Sequence, residues 1–228
     1  MFNARRALVV VAHPDDEVLG CGGTVRRMAD AGIEVAVCIL SGTVRARNVR
    51  PADDELRSDI CQAMTILGAK LLDVGEFENI QFNTVPHLQI VQFIEDAIRK
   101  SEPDVVFTHH PSDLNNDHTQ TSLACQAAIR LPQRNGKVSP ISEFYYVEIP
   151  SSTDWAVPSG GQPFQATTFV DIEAGIAAKL KALETYRDVM RPRPHPRSTE
   201  VIQALAVCRG AQSGFNYAES FQLAFRRV

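Results

Sequence analysis

The sequence predicts an α/β fold built on a mainly parallel sheet, and three observations support this prediction. Short apolar runs recur along the first half of the chain, at residues 7–11, 34–40, 70–74 and 105–108. Stretches with helical spacing of apolar residues alternate with these runs, which is the order of βαβ units with right-handed crossovers. Polar residues cluster directly after the first and the fourth run, where open α/β sheets place their ligands.

Length and composition favour one folded domain. A chain of 228 residues with 44% hydrophobic residues can bury a sizeable core. We therefore expect a single domain over 1–228, in which residues 1–130 form a βαβ core and residues 131–228 complete the fold and the mouth of the site. The net charge of −4 argues against general nucleic-acid binding.

The cysteines and the lengths of the apolar runs indicate the cellular compartment of the protein. The five cysteines form no CxxC pair, which favours a reduced compartment over a disulfide framework. No apolar run approaches the roughly 18 residues of a membrane span. We therefore expect a cytoplasmic protein.

Helices are predicted between the strands of the first half, at 17–31, 51–67, 85–100 and 118–130. The first of them contains Gly20, Gly22 and Gly23, and we interpret these glycines as close packing of the helix on the sheet. They do not match GxGxxG, and no P-loop lysine follows them.

The pattern loosens in the second half. Strands are predicted at 143–149 and 168–171, a helix at 172–189, and a last helix that Ser198 caps and that ends near residue 209. Residues 150–167 form a long loop with the only tryptophan, Trp155, and residues 191–197 (RPRPHPR) form a basic, proline-rich segment. Loops of this length are usually functional or disordered.

Two polar clusters are predicted to meet at one edge of the sheet. The first is residues 12–17 (AHPDDE) and the second is residues 109–118 (HHPSDLNNDH). Histidines beside carboxylates at this edge indicate a metal site, and three protein ligands with an open position are typical of catalytic zinc. The natural ligand set is His13, Asp16 and His118.

These motifs resemble the zinc-dependent de-N-acetylases of the PIG-L/LmbE type, over about residues 8–130. The resemblance implies a Rossmann-like three-layer fold, Zn²⁺ bound by His13, Asp16 and His118, and Asp15 as the general base that acts on the attacking water. It also implies a small-molecule N-acetyl sugar or glycoconjugate as substrate, and it is compatible with a homo-oligomer.

The resemblance further implies substrate contacts. An arginine in the helix before a Leu-Gly pair often contacts the substrate in this family, and Arg57 matches it. Many members carry a histidine three residues before the third ligand, where this chain has Asn115. His110 or His195 would then supply the oxyanion or acid group.

Three further residues of the second half are candidate substrate contacts. Trp155 can stack on a sugar ring or pack against the core. The basic segment resembles tails of some bacterial members, and Arg193 and Arg197 can hold a phosphate or another anion.

Two other functions remain open at this point. Two histidines and one carboxylate also form the facial triad of non-haem iron(II) oxygenases, although those triads usually lie in antiparallel barrels. Dependence of turnover on dioxygen would distinguish such an oxygenase from a hydrolase. The third function is a non-catalytic sugar- or nucleotide-binding module, which binds without turnover and is insensitive to loss of Asp15.

Overall fold

The computed structural model describes residues 2–46, 50–157 and 161–228. Residues 158–160 of the predicted loop 150–167 therefore lie outside the described residues. Within the described part, the strands are β1 Arg6–Val11, β2 Glu34–Ile39, β3 Lys70–Val74, β4 Val105–His109, β5 Glu143–Val147, β6 Thr168–Asp171 and β7 Ala218–Arg226. The helices are α1 Asp16–Asp30, α2 Asp53–Leu67, α3 His87–Ser101, α4 Asn116–Ala128, α5 Leu131–Arg134, α6 Ile176–Thr185 and α7 Thr199–Ser213, with a 3₁₀ turn at Phe82–Thr84.

The strands lie in one sheet in the order β3-β2-β1-β4-β5-β7-β6. Neighbours from β3 to β5 are parallel, whereas β7 runs antiparallel to both β5 and β6. The predicted α/β fold with a mainly parallel sheet is confirmed. The sequence analysis placed no strand after residue 209, and that was wrong, because β7 joins β5 to β6.

Both faces of the sheet are covered by helices, which gives three layers. Ala7, Val9 and Val11 of β1 point into a core formed with α1, α2, α6 and α7. Leu8 and Val10 alternate with them and point into a second core formed with α3 and α4. A strand whose successive side chains are all buried must be apolar at every position, which explains the continuous run at residues 7–11.

Helix α1 packs unusually close to its neighbours. A Cβ atom added at Gly20 would lie 2.8 Å from Ile149, and one at Gly23 would lie 2.9 Å from Ile172. The interpretation of these glycines as packing positions is therefore confirmed.

A carboxylate from β7 accepts hydrogen bonds from backbone N–H groups at a break in α1. The helix departs from helical dihedrals at Cys21, and Glu219 accepts hydrogen bonds from the backbone N–H groups of Gly23 (3.0 Å) and Thr24 (2.7 Å). Lys179 Nζ lies 2.6 Å from the same carboxylate, so its buried charge is paired. Strand β7 thus stabilises helix α1, which begins at Asp16.

The predicted boundaries are correct at some ends and too generous at others. Ser198 caps α7, because its Oγ accepts from the N–H of Val201 at 3.2 Å. The helix predicted at 172–189 is confined to α6, Ile176–Thr185. Among the described residues, no helix has the length and apolar character needed to span a membrane.

Candidate metal centre and catalytic cleft

The candidate site lies where β1 and β4 end side by side. These strands are parallel neighbours, so the loop after β1 and the loop after β4 meet at one edge of the sheet. The first loop leads into α1 at Asp16, and the second leads into α4, which begins one residue before Asp117. The meeting of the two polar clusters, which the sequence predicts, is therefore present.

Three buried donor atoms converge at this edge. His13 Nδ1 lies 3.3 Å from His118 Nε2 and 3.4 Å from Asp16 Oδ2, and His118 Nε2 lies 3.2 Å from Asp16 Oδ2. Zinc–nitrogen and zinc–oxygen bonds of about 2.0–2.1 Å in a tetrahedron place neighbouring ligand atoms roughly 3.3–3.4 Å apart. The spacing of the three atoms fits one face of such a tetrahedron.

The remaining ring nitrogen of each histidine meets a carboxylate. His13 Nε2 lies 2.8 Å from Asp117 Oδ2, and His118 Nδ1 lies 3.2 Å from Asp113 Oδ1. Histidines that bind metals usually donate their second N–H to a carboxylate, which fixes the tautomer and the ring orientation. Each imidazole is thus oriented with its other ring nitrogen, Nδ1 of His13 and Nε2 of His118, at the convergence point.

The two supporting carboxylates are themselves held in place. Asp117 accepts hydrogen bonds from the backbone N–H groups of Phe82, at 3.0 Å, and of Ile80. Asp113 accepts from Thr153 Oγ1 at 2.7 Å and from the hydroxyl of Ser152. These contacts fix both carboxylates, so the imidazoles are oriented before any ion binds.

The ionisation of the cluster suits a cation. Burial alone would raise the pKa of Asp16, but His118 and His13 hold it well below its usual range. Burial lowers the pKa of His118, yet Asp16 and Asp113 outweigh it and raise that pKa to about 10. The pKa of His13 is raised as well, with burial opposing Asp117 and Asp16. The chain therefore gathers negative charge around two imidazoles, and a bound cation would displace their protons.

Asp15 opens into the same cleft in a strained backbone conformation. Its φ is 105°, a left-handed value that non-glycine residues rarely adopt. Arg197 Nη1 donates to Asp15 Oδ2 at 3.2 Å, and Arg197 Nε donates to Ser151 Oγ at 2.8 Å. An arginine from the second half of the chain therefore holds the carboxylate of Asp15.

The cleft encloses about 200 Å³. Asn115 lines it and caps α4, because its Oδ1 accepts from the N–H of Asp117 at 2.9 Å. That bond leaves the Nδ2 amide hydrogens as the free donors of Asn115. The walls of the cleft are formed by His13, Asp15, Asp16, Val44, Ala46, Asn79, Ile80, Asn115, His118 and Arg197.

Two histidines named in the sequence analysis lie outside the cleft. His110 is buried against Tyr146 and Phe164, and its Nδ1 accepts from the N–H of Ser112 at 3.1 Å. His195 lies on the surface segment that precedes Arg197. Neither ring lines the cleft, so the structure does not bring them to the three donor atoms.

The other predicted contacts line two separate grooves outside the cleft. Arg57 is exposed on α2 and lines a groove with Thr43 and Arg45, next to the cleft wall at Val44. Trp155 and Arg193 line a separate surface groove with His195.

Sequence reasoning missed the supporting roles of Asp113, Asp117 and His109. His109 stacks on His118 with ring centroids 3.9 Å apart, and its Nε2 accepts from the N–H of Ala12 at 2.8 Å. Burial, followed by the neighbouring His118, lowers the pKa of His109 to about 3, so this ring is neutral. The available signal was the presence of acidic residues within five positions of a candidate histidine ligand.

Comparison with known proteins is consistent with this geometry. Residues 8–129 match the family described as GlcNAc-PI de-N-acetylase, PIG-L. The chain is 28% identical to 1D-myo-inositol 2-acetamido-2-deoxy-alpha-D-glucopyranoside deacetylase of Rhodococcus jostii, over 81% of this chain and 82% of the relative.

Two further similarities extend over nearly the whole chain. The chain is 26% identical to 4-oxalmesaconate hydratase of Pseudomonas putida, over 98% of this chain and 91% of the relative. The crystal structure of the conserved protein TT1542 from Thermus thermophilus aligns with a TM-score of 0.79 at 26% identity, over 97% of this chain and 95% of the other. The shared fold therefore extends through the second half of the chain.

Proposed function

Because the chain belongs to the GlcNAc-PI de-N-acetylase (PIG-L) family, we propose that it is a metal-dependent hydrolase that removes the acetyl group from an N-acetylated sugar. The observation that carries this proposal is the convergence of His13, Asp16 and His118 beside the Asp15 carboxylate in one cleft. The proposed substrates are N-acetylglucosamine-type glycans, sugar nucleotides or glycoconjugates. We further propose that residues 1–228 act as one domain, since one sheet takes strands from both parts of the chain.

The proposed ion is Zn²⁺, held by His13, Asp16 and His118. Two imidazoles and one carboxylate are ordinary zinc ligands, and three protein ligands leave a position open for water and substrate. When bound, zinc acts as a Lewis acid that lowers the pKa of water from about 15.7 to about 7.

Asp15 is the proposed general base. It accepts a proton from the attacking water as the carbon–oxygen bond forms, and it returns that proton to the sugar nitrogen as the carbon–nitrogen bond breaks. The products are acetate and the free amine. Arg197 holds the carboxylate in place through the contact at 3.2 Å.

Asn115 is the proposed oxyanion donor. The family histidine is absent from this position, and Asn115 lines the cleft with its Oδ1 engaged in the cap, so that Nδ2 is the group it can donate from. A neutral amide donor stabilises the oxyanion without taking part in proton transfer. His110 and His195 are then not required as the acid, because Asp15 carries the proton.

The proposal is tested by acetate release from free, nucleotide-linked and lipid-linked N-acetyl sugars, with and without a chelator. We expect the chelator to abolish release and zinc to restore it. Asp15→Asn should keep zinc and lose at least about a hundredfold in kcat, in line with general base catalysis. Asp96→Asn is the matched control, since Asp96 is an exposed carboxylate paired with Arg99. Near-normal turnover by Asp15→Asn would remove Asp15 from the mechanism.

A second candidate, a hydratase, is favoured by the relative from Pseudomonas putida. Such an enzyme adds water to its substrate and releases no acetate. Loss of the ultraviolet absorbance of 4-oxalmesaconate, without acetate from any sugar, would support this candidate. Dioxygen-dependent turnover would support an iron oxygenase, and binding without turnover would support a binding module.

We also propose a cytoplasmic location, in keeping with five cysteines that form no disulfide.

A further inference from the structure

A surface groove beside the catalytic cleft has no part in the chemistry described above. We call it the Trp155 groove; it is shallow and open to solvent, with a volume of about 520 Å³. Its volume is in the range of sites that hold small molecules. Its walls are Trp155, Arg191, Pro192, Arg193, Pro194, His195 and Pro196.

The groove is joined to the cleft through Arg197. Trp155 lies edge-on to His195, with ring centroids 5.8 Å apart, and His195 Nδ1 accepts from the N–H of Arg197 at 3.0 Å. The Arg197 side chain bonds Ser151 on one side and Asp15 on the other. The contacts of Arg197 therefore link the groove to the carboxylate of Asp15 in the cleft.

The groove is electropositive. Arg191 and Arg193 are exposed, and neither has a carboxylate within 4.0 Å among the residues that the structure describes. The pKa of His195 is lowered by burial and then by Arg197 and Arg191, and these effects outweigh the opposing effect of Asp154. Guanidinium groups without partners favour phosphates and carboxylates, which they bind through two parallel hydrogen bonds.

The remaining walls are flat and apolar. Trp155 is 49% exposed, whereas tryptophan is highly buried on average. Three prolines also line the groove. An indole ring and proline rings offer rigid apolar faces on which the C–H face of a sugar packs, at little cost in side-chain entropy.

From this combination we infer that the substrate is an anionic saccharide. The N-acetyl sugar occupies the cleft, and a phosphate or carboxylate attached to it, or to the next unit, binds Arg191 and Arg193 in the Trp155 groove. This inference rests on the proposed function and adds the charge of the substrate to it.

Tryptophan fluorescence tests the groove directly, because Trp155 is the only tryptophan in the chain. The zinc-loaded protein is titrated with N-acetylglucosamine, N-acetylglucosamine 1-phosphate and N-acetylmuramic acid. We expect one or both anionic sugars to bind at least about tenfold more tightly than the neutral one, which corresponds to about 1.4 kcal/mol. The comparison of the two anionic sugars shows whether the groove prefers a phosphate or a carboxylate.

Two double variants decide where the preference arises. Arg191→Gln/Arg193→Gln should bring the affinity ratio of anionic to neutral sugar close to one. Arg5→Gln/Lys181→Gln removes the same charge from exposed positions elsewhere and should keep the ratio. Equal binding of neutral and anionic sugars by the unmodified protein, or a ratio that survives the loss of both groove arginines, would overturn the inference.

Acetate release from the same sugars separates this inference from the proposed function. If both hold, the Arg191→Gln/Arg193→Gln variant raises the KM of the anionic sugar about tenfold relative to that of the neutral one. Turnover with no charge preference in KM or fluorescence leaves the deacetylase and removes the anion site. Charge-dependent quenching without acetate from any sugar keeps the anion site and removes the deacetylase.

Discussion

Replacing Asp117 by asparagine should weaken zinc binding without touching a proposed ligand. Asp117 Oδ2 accepts from His13 Nε2 at 2.8 Å and from the N–H of Ile80, while Oδ1 accepts from the N–H of Phe82 at 3.0 Å. An asparagine has one accepting oxygen. If that oxygen faces His13 and Ile80, the amide nitrogen lies against the N–H of Phe82, and in the reverse orientation the amide nitrogen faces both His13 and Ile80.

The structure sets the size of the effect. One buried N–H without an acceptor costs about 1–3 kcal/mol of folding free energy. The bond to His13 also changes from a charged to a neutral acceptor, which lowers the basicity of the ring and loosens its orientation. Loss of such supporting carboxylates typically weakens metal binding about 10–100-fold. We therefore expect the zinc dissociation constant of Asp117→Asn to rise by about that factor.

Competition with a chromophoric chelator measures the zinc dissociation constant, and thermal unfolding of the metal-free protein measures stability. Asp104→Asn is the matched control, because Asp104 Oδ2 accepts from the N–H groups of Arg5 (2.7 Å) and Arg6 (3.0 Å) far from the site. It should leave zinc binding as it was, because asparagine retains one oxygen that can accept from both N–H groups. Normal zinc binding by Asp117→Asn, or an equal rise of the zinc dissociation constant in both variants, would refute the reasoning.

Three further predictions follow from the same contacts. Arg197→Gln should lower kcat at least about tenfold while zinc binding stays normal, because only the orientation of Asp15 changes; an unchanged kcat would show that the contact at 3.2 Å is dispensable. Zinc binding should strengthen at least about tenfold per pH unit from pH 6 to 8, because His118 must release a proton when the ion binds. Burial lowers the pKa of His118, but Asp16 and Asp113 outweigh burial and raise that pKa to about 10. Calorimetry that finds no pH dependence of zinc binding would contradict this. Gly23→Ala should destabilise the protein by about 1–3 kcal/mol through the contact with Ile172, whereas Gly136→Ala, with open space around it, should not; equal melting temperatures would contradict the packing argument.

The first half of the fold was predictable because its signals are local. A buried parallel strand is apolar at every position, and the polar residues that follow it mark the ligand edge, so His13, Asp16 and His118 could be grouped from the sequence. Strand β7 also carries a local signal, the alternation of Phe221, Leu223 and Phe225. Its pairing with β5 and β6 depends on partners far along the chain, and only the folded sheet reveals it.

The histidines show why membership of a polar cluster does not determine a position in the site. His109 and His110 are adjacent at the end of β4, where successive side chains point to opposite faces. His109 therefore stacks on His118, while His110 packs against Tyr146 on the other side. The sequence singled out His110 as a catalytic candidate, and the strand alternation gave no means of telling which of the two faces the cleft.

The two halves of the chain contribute different parts of the cleft. The family match at residues 8–129 contains the three proposed ligands and Asp15. Arg197, which holds Asp15 in the cleft, and Trp155, which lines the separate Trp155 groove, come from outside that range. A common metal centre can therefore be combined with different surroundings for the base and the substrate.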